Sequence, residues 1–203
     1  MSIIPPFLFF FAGALIMAVS RKEARAPILL LTPVLSLLTL LAMPDGATLQ
    51  ASVVGFDLTL FQADKLSFLF LVLFHIAAFI GGLFSIHKDE PGQHSACLLY
   101  AGSAVGAVAA GDLISLFLFW EVMAVSSDRS WRAGNRYLLW QILSGLLLLG
   151  GICWYATATG SIAIQHIGLD APGAWFILLG LGTKACFPFL HTWLVDGYPE
   201  ATP

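Results

Sequence analysis

The chain has 203 residues, of which 59% are hydrophobic and only 10% are charged, and its formal net charge is −3. A soluble domain carries roughly a quarter charged residues, so this composition excludes an ordinary soluble protein and indicates an integral membrane protein. The small net charge does not favour nucleic acid as a partner. The three cysteines lie in apolar stretches without CxxC spacing, and no glycine-rich phosphate loop occurs. We therefore expect no metal site, no cofactor and no catalytic redox centre in this chain.

Long apolar runs predict an all-α polytopic membrane protein with about seven transmembrane helices. The expected spans are residues 3–20, 27–43, 64–86, 94–110, 113–127, 136–157 and 174–195. Residues 44–63 form an expected outer loop, where Pro44 and Gly46 mark a turn and a short hairpin could bend near Gly55. The fifth span is short, because its 15 residues reach only ~22 Å across a hydrocarbon core of ~30 Å.

The basic residues predict the orientation of these spans. Seven of the nine Lys and Arg fall in loops on one side, namely Arg21, Lys22, Arg25, Lys88, Arg129, Arg132 and Arg136. Lys65 falls at the opposite side, and Lys184 lies inside a span. By the positive-inside rule, we expect the N-terminus outside, the C-terminus cytoplasmic, and a multi-pass protein of the cell (inner, cytoplasmic) membrane.

The last span contains a lysine and a proline that point to a broken helix. A lysine such as Lys184 within hydrocarbon is unfavourable by at least ~3 kcal/mol on insertion scales. Pro188, four residues later, cannot donate to the Lys184 carbonyl and crowds it, which predicts a break near Pro188. His191 would lie on the same helical face as Lys184. A charge that snorkels to water beside a packing kink is the alternative, but the depth of Lys184 favours a functional charge.

Two further ionisable residues lie inside expected spans. Glu121 follows two aromatic residues in the fifth span, and His75 lies near the middle of the third. A buried Glu and a buried Lys on separate helices suit ion handling, because separating the pair disfavours both charges and can move a proton. His75 and His191 could extend a water-linked path, although a lone histidine is more often packed and hydrogen-bonded. Two such charges could also merely lock two helices together.

Three stretches resemble the antiporter-like membrane subunits, namely residues 119–123, 132–139 and 182–203. That family includes the proton-pumping subunits of respiratory complex I, the large subunits of Mrp sodium/proton antiporters and the membrane arms of energy-converting hydrogenases. The sequence of these stretches looks closest to the Mrp D-type and hydrogenase branch. The match runs in order from about Gly111 onward, whereas the first three spans match in layout only.

The resemblance implies a role for each matching residue. Glu121 matches the family's glutamate on the fifth helix, and Lys184 matches the lysine on the broken seventh helix. Together they would form the coupling pair of the first half-channel, with His191 as an exit toward the central axis. The family's fold consists of two inverted five-helix repeats, each with a broken helix. The fifth span and the loop after it are shorter than the family's.

The resemblance also implies a domain organisation. Residues 1–93 would be a three-helix membrane segment with the outer loop, and residues 94–203 would start the antiporter-like core, helices four to seven. This core stops before the eighth helix, so we expect another polypeptide to supply the second half.

The expected function is translocation of a cation, with the proton expected, by a membrane subunit of a multisubunit respiratory, hydrogenase-type or Mrp-type complex. The lipid bilayer and other membrane subunits would be its partners, and any redox chemistry would occur in those subunits. Two alternatives stay open: a structural, non-conducting subunit of such a complex, and an autonomous small homodimeric transporter. The sequence does not distinguish H⁺ from Na⁺.

Overall fold

The computed structural model describes residues 4–44, 46–53, 55–88, 90–126, 131–191 and 193–194. Arg129 and the motif residues 195–203 lie outside the described residues, as do the side chains of Arg132 and Arg136. The described part contains seven α-helices and one two-stranded antiparallel sheet. The helices are α1 (Pro6–Val19), α2 (Lys22–Leu41), α3 (Lys65–Ser85), α4 (Pro91–Val108), α5 (Leu113–Ser126), α6 (Trp131–Thr159) and α7 (Ala174–Lys184). The strands are β1 (Thr48–Val53) and β2 (Phe56–Gln62).

The helices have the length and composition of a multi-pass membrane protein. Helix α2, helix α3 and residues Tyr137–Thr159 of α6 are long and apolar enough to cross a membrane, and α1, α5 and α7 are shorter apolar helices. The expectation of a mainly helical, multi-pass chain is confirmed in this form. Some boundaries differ from those expected, because α2 begins at Lys22 and α6 at Trp131. The largest difference is at α7, which ends at Lys184 instead of continuing to residue 195.

The chain divides into two compact units, Met1–Gly111 and Asp112–Pro203. In the first unit, α1 packs against α2 and α4, and α3 packs against the same two helices. Gly102 of α4 allows a close approach, since a Cβ at this position would lie 2.6 Å from Cβ of Phe10. Helix α4 thus belongs by its contacts to the first unit, and its functional assignment to the core from residue 94 stays a prediction.

The predicted hairpin after α2 is confirmed. Strands β1 and β2 pair antiparallel, and Gly55 has a φ of 82° at the bend. The hairpin is attached to the end of α4, because Gln62 N donates to Ala109 O at 2.7 Å and Gly111 N donates to Thr59 O at 2.9 Å. A side chain at Gly111 would collide with Thr59, so a glycine is required here.

In the second unit, α6 packs against both α5 and α7. Its apolar core consists of Leu113, Leu148, Ile152, Tyr155 and Ile177. The backbones of α6 and α7 are in direct contact, since a Cβ at Gly180 would lie 2.7 Å from Leu148 N and 2.9 Å from Ser144 O. Small residues at a helix crossing permit such an approach in membrane proteins. This crossing fixes where the last turn of α7 meets α5 and α6.

Candidate functional site

Lys184 lies in the last turn of α7 and is partly buried. Its Nζ donates a hydrogen bond of 2.7 Å to the carbonyl oxygen of Trp120 on α5, and it lies 4.6 Å from the centre of the Trp120 ring. An ammonium over the face of an indole is attracted by the negative potential of the ring. The lysine charge is therefore held by a backbone dipole and an aromatic face of the same residue.

The indole of Trp120 is itself connected to the neighbouring helices. Its Nε1 donates to Ser144 Oγ at 3.3 Å, and Ser144 Oγ donates to the carbonyl of Gly180 at 2.8 Å. Ser144 is completely buried. The hydrogen bonds thus run from α5 through α6 to α7 and orient the ring that faces Lys184.

Glu121 follows Trp120 on α5 and is partly buried. Its carboxylate lies against Gly145 of α6, where any Cβ would collide with Glu121 Oε1. This oxygen is buried and has no hydrogen-bond partner among the residues that the structure describes. Glu121 and Lys184 attract each other electrostatically, while the close hydrogen bond of the ammonium goes to the residue before Glu121. The two predicted charges therefore lie in one helical unit.

Helix α7 ends at Lys184 in a Schellman motif. Phe187 N donates to Gly182 O at 2.9 Å and Cys186 N donates to Thr183 O at 3.4 Å, with Cys186 at a φ of 57°. This is the pattern that closes a helix through one residue in the left-handed region. The ring of Phe187 covers Gly182, where a Cβ would lie 2.6 Å from Phe187 Cδ2. The left-handed position is occupied by a cysteine, whereas such positions usually favour glycine.

Pro188 comes directly after this motif, a position where proline is common because it cannot continue a helix. Helix α7 thus ends four residues before Pro188, and the expected broken helix near Pro188 stays a prediction. Trp193 then returns to the helix end, where its Nε1 donates to Thr183 O at 2.8 Å and its ring lies 5.4 Å from that of Tyr137 on α6.

His191 does not join Glu121 and Lys184. It is exposed, and no hydrogen bond connects its ring to either of them within the described ranges. The expectation that His191 shares a helical face with Lys184 is wrong, because the backbone of residues 185–191 is not helical. Its role as an exit stays a prediction.

His75 is buried in the first unit and is bonded through both ring nitrogens. Nδ1 lies 2.6 Å from the carbonyl oxygen of Leu71, so this nitrogen donates, and Nε2 lies 2.7 Å from Ser36 Oγ. Ser36 Oγ also lies 2.8 Å from the carbonyl of Pro6. These contacts join α1, α2 and α3 and favour the packed histidine over the relay.

Sequence reasoning missed two buried polar residues of α6, Ser144 and Gln141. Ser144 bonds to both neighbouring helices, and Gln141 is 1% exposed with both amide atoms unpaired in the described part of the chain. A glutamine in a run of leucines and isoleucine was the available signal, because polar residues inside spans are unfavourable unless they have partners or a function. Within the described ranges, no group of three or more His, Cys, Asp or Glu could hold a metal ion.

Comparison with known sequences identifies the second unit. Residues 110–203 match a family model described as NADH:quinone oxidoreductase/Mrp antiporter, transmembrane. A Na⁺/H⁺ antiporter subunit from Alkalihalophilus pseudofirmus is 28% identical over 176 residues, which are 73% of this chain and 22% of that protein. A Na⁺/H⁺ antiporter subunit from Staphylococcus aureus is 32% identical over 175 residues, 73% of this chain and 21% of that protein. The chain spans about a fifth of the length of these curated relatives.

Solved structures share the fold over nearly the whole chain. A chain of an archaeal membrane-bound sulfane sulfur reductase matches 97% of this chain with a TM-score of 0.81 and 21% identity, over 36% of its own length. A chain of respiratory complex I from Thermus thermophilus matches 94% with a TM-score of 0.76 and 22% identity, over 45% of its length. A chain of the Mrp complex from Dietzia sp. matches 95% with a TM-score of 0.74 and 21% identity, over 24% of its length. Residues 110–203 therefore match the transmembrane domain described as NADH:quinone oxidoreductase/Mrp antiporter, and nearly the whole chain has the fold of the membrane subunits in these complexes.

Proposed function

We propose that the chain translocates cations as an antiporter-like membrane subunit of a multisubunit complex, and that the translocated ion is the proton. The observation that carries this proposal is the Glu121–Lys184 pair, which places one carboxylate and one ammonium on two helices packed on α6. Ionisable residues inside membrane helices are unfavourable and mark ion pathways. The named relatives are subunits of Na⁺/H⁺ antiporters, which supports cation transport as the class of activity.

The geometry offers the ammonium two acceptors on consecutive residues of α5. Nζ is bonded to the carbonyl of Trp120, and the carboxylate of Glu121 follows on the same helix with an unpaired Oε1 among the described residues. A movement of Nζ from the carbonyl to the carboxylate would change the charge environment of Glu121. The position of Lys184 and the protonation of Glu121 are thus coupled. Such coupling is required if a conformational change is to move protons.

The position of Lys184 at the end of α7 favours such a movement of its ammonium group. Lys184 is the last residue of the helix, and the chain after it turns away. The side chain of Lys184 can change conformation and move its ammonium while the hydrogen bonds that close the helix stay in place. The local negative end of the helix dipole also favours a positive charge here.

We further propose how the helices of the whole chain cross the membrane. All seven helices would be spans, with Arg21, Lys22, Arg25 and Lys88 on the cytoplasmic side of the inner membrane and Lys65 outside. Support comes from the chain order, since the α1–α2 and α3–α4 connections hold the first group and the start of α3 holds Lys65. The proposed partners are other membrane subunits.

A structural, non-conducting role is the second candidate. The hydrogen bond of 2.7 Å and the cation–π contact between Lys184 and Trp120 tie α7 to α5. In this case the charge would serve only to hold the two helices together.

Substitution of the pair separates the two candidates. We expect Glu121→Gln and Lys184→Ala each to abolish or strongly reduce ion translocation while the complex still assembles. Proton movement is measured as the pH gradient formed in membrane vesicles containing the whole complex, normalised to the amount of assembled complex. Glu23→Gln and Lys65→Ala are the matched controls, because both side chains are exposed. Normal translocation by both pair variants would support the structural role and contradict the proposal.

A further inference from the structure

Gln141 is the most completely buried unpaired side chain of the second unit. It is 1% exposed, and neither its amide nitrogen nor its amide oxygen bonds to any residue that the structure describes. Glu121 Oε1 is also buried without a partner among those residues. Buried polar groups are almost always hydrogen-bonded, because burial without a partner is unfavourable. Three unpaired atoms in one three-helix unit therefore indicate that a ligand binds them.

The contacts of α6 show where Gln141 lies. Four residues before it, Tyr137 contacts Trp193, whose indole binds Thr183 O near the end of α7. Three residues after it, Ser144 binds Gly180 O. Residues at these spacings share one helical face, so Gln141 lies on the face of α6 that meets the last turn of α7. That turn contains Lys184.

The same register places Gln141 near Glu121. Gly145, against which the Glu121 carboxylate lies, follows Gln141 by four residues, which is one helical turn. Gln141 and Gly145 thus occupy neighbouring positions on one face of α6, and the Glu121 carboxylate lies against Gly145. From this register, we expect the unpaired atoms to lie in one polar cluster near Lys184.

The hydrogen-bonding groups and charges of the cluster restrict the kind of ligand that can bind there. A primary amide donates and accepts, and a carboxylate oxygen accepts, so the ligand must both donate and accept hydrogen bonds. An anion would be repelled by Glu121, and a metal cation would face the ammonium of Lys184. Water satisfies all these groups, and a buried water typically makes two to four hydrogen bonds.

We propose that Gln141 and Glu121 bind an ordered water molecule that connects the Glu121 carboxyl group with Lys184. Gln141 is a positioning residue that holds this water in place. In the transfer step, the protonated carboxyl of Glu121 gives its proton to the water oxygen. The water gives one of its own protons to the lone pair of neutral Nζ. A neutral acid and amine become a carboxylate and an ammonium, and the water is regenerated. This inference rests on the proposed function of the Glu121–Lys184 pair.

Two substitutions at one position test the inference. Gln141→Leu keeps the approximate volume but cannot bind water, whereas Gln141→Asn keeps the amide. In vesicles containing the whole complex, we expect Gln141→Leu to lower the initial rate of pH-gradient formation by about tenfold or more, and Gln141→Asn to keep most of the rate. Gln165→Leu is the control, because Gln165 lies in the loop after α6 and its amide is already bonded to the Tyr155 hydroxyl at 2.7 Å. It should translocate normally.

Stability distinguishes a water-binding role from a structural one. Since Gln141 makes no hydrogen bond to the described protein, the leucine variant should assemble normally and melt at or above the temperature of the parent complex. A normal rate in Gln141→Leu would overturn the inference. A rate that falls together with stability, without rescue by asparagine, would also overturn it. If Glu121→Gln is inactive but Gln141→Leu is normal, only this inference fails; if both are normal, the proposed function fails as well.

A direct observation is independent of the variants. A cryo-EM map of the whole complex that resolves ordered waters should show density within about 3 Å of both the Gln141 amide and Glu121 Oε1. A protein side chain bonded to both amide atoms of Gln141 would overturn the inference.

Discussion

Two buried polar sites, one in each unit of the chain, differ in how their side chains are paired. In the first unit, His75 is bonded through both ring nitrogens, and its partner Ser36 also contacts the carbonyl of Pro6. In the second unit, Glu121 Oε1 and both amide atoms of Gln141 have no partner among the described residues. Hydrogen-bonded buried groups join helices and specify their packing, whereas a buried group without a partner is unfavourable. This difference agrees with the proposed roles, which are helix packing for His75 and ion handling for Glu121.

The largest effect on stability is expected from Ser36→Ala. It removes the hydroxyl that contacts His75 Nε2 and leaves that buried nitrogen unpaired, which costs about 1–3 kcal/mol. Thermal unfolding of the detergent-solubilised complex should show the loss, and translocation per assembled complex should not change. Ser103→Ala is the control, because Ser103 is equally buried and its hydroxyl donates to Leu99 O of its own helix at 2.7 Å. A fall in translocation at unchanged stability would instead indicate that His75 is a relay.

Gly145→Ala should affect translocation and not stability. The added methyl group would collide with Glu121 Oε1, the end of a flexible side chain, so the carboxylate can move away while the helices stay in place. We expect the initial rate to fall about tenfold, corresponding to ~1.4 kcal/mol in the barrier. Gly150→Ala on the same helix is the control, since nothing lies within 4 Å of a Cβ there. Equal rates for the two variants would show that the position of the carboxylate is not important.

Trp120→Phe should have a smaller effect. The phenyl ring keeps an aromatic face for Lys184 but loses the hydrogen bond of 3.3 Å to Ser144. The bond from Lys184 to the backbone carbonyl can remain. A net hydrogen bond contributes about 1 kcal/mol, so we expect a several-fold lower rate. An inactive variant would show that the indole itself takes part in the transfer, and a normal rate would show that Ser144 does not position the ring.

The smallest effect is expected at Asp64, which caps the N-terminus of α3. Hydrogen bonds from the Ser67 side chain and backbone lower the pKa of this exposed carboxyl below its usual value. The ionised form is therefore favoured in the folded state, and its contribution is fully present above the unfolded pKa and is lost as the pH falls through the folded pKa. The melting temperatures of the parent and Asp64→Asn should converge on acidification. A difference that persists at low pH would contradict the origin of this contribution.

Much of the arrangement could be predicted from local sequence. Gly55 and the turn residues predicted the hairpin, and the ionisable residues Glu121 and Lys184 stood out against apolar runs.

The end of α7 could not be predicted in the same way. Its termination depends on Cys186 in the left-handed region and on Phe187 packed over Gly182, and no glycine marks the stop. The prediction that His191 shares a helical face with Lys184 was wrong for that reason. Gln141 was missed because its importance depends on its lack of partners, which only tertiary structure reveals.

The most direct test compares Glu121→Gln with Ser36→Ala in the same vesicles. We predict that Glu121→Gln assembles and melts normally but translocates protons at least about tenfold more slowly, whereas Ser36→Ala melts earlier and translocates normally per assembled complex. Full translocation by Glu121→Gln would contradict the assignment of ion handling to the second unit.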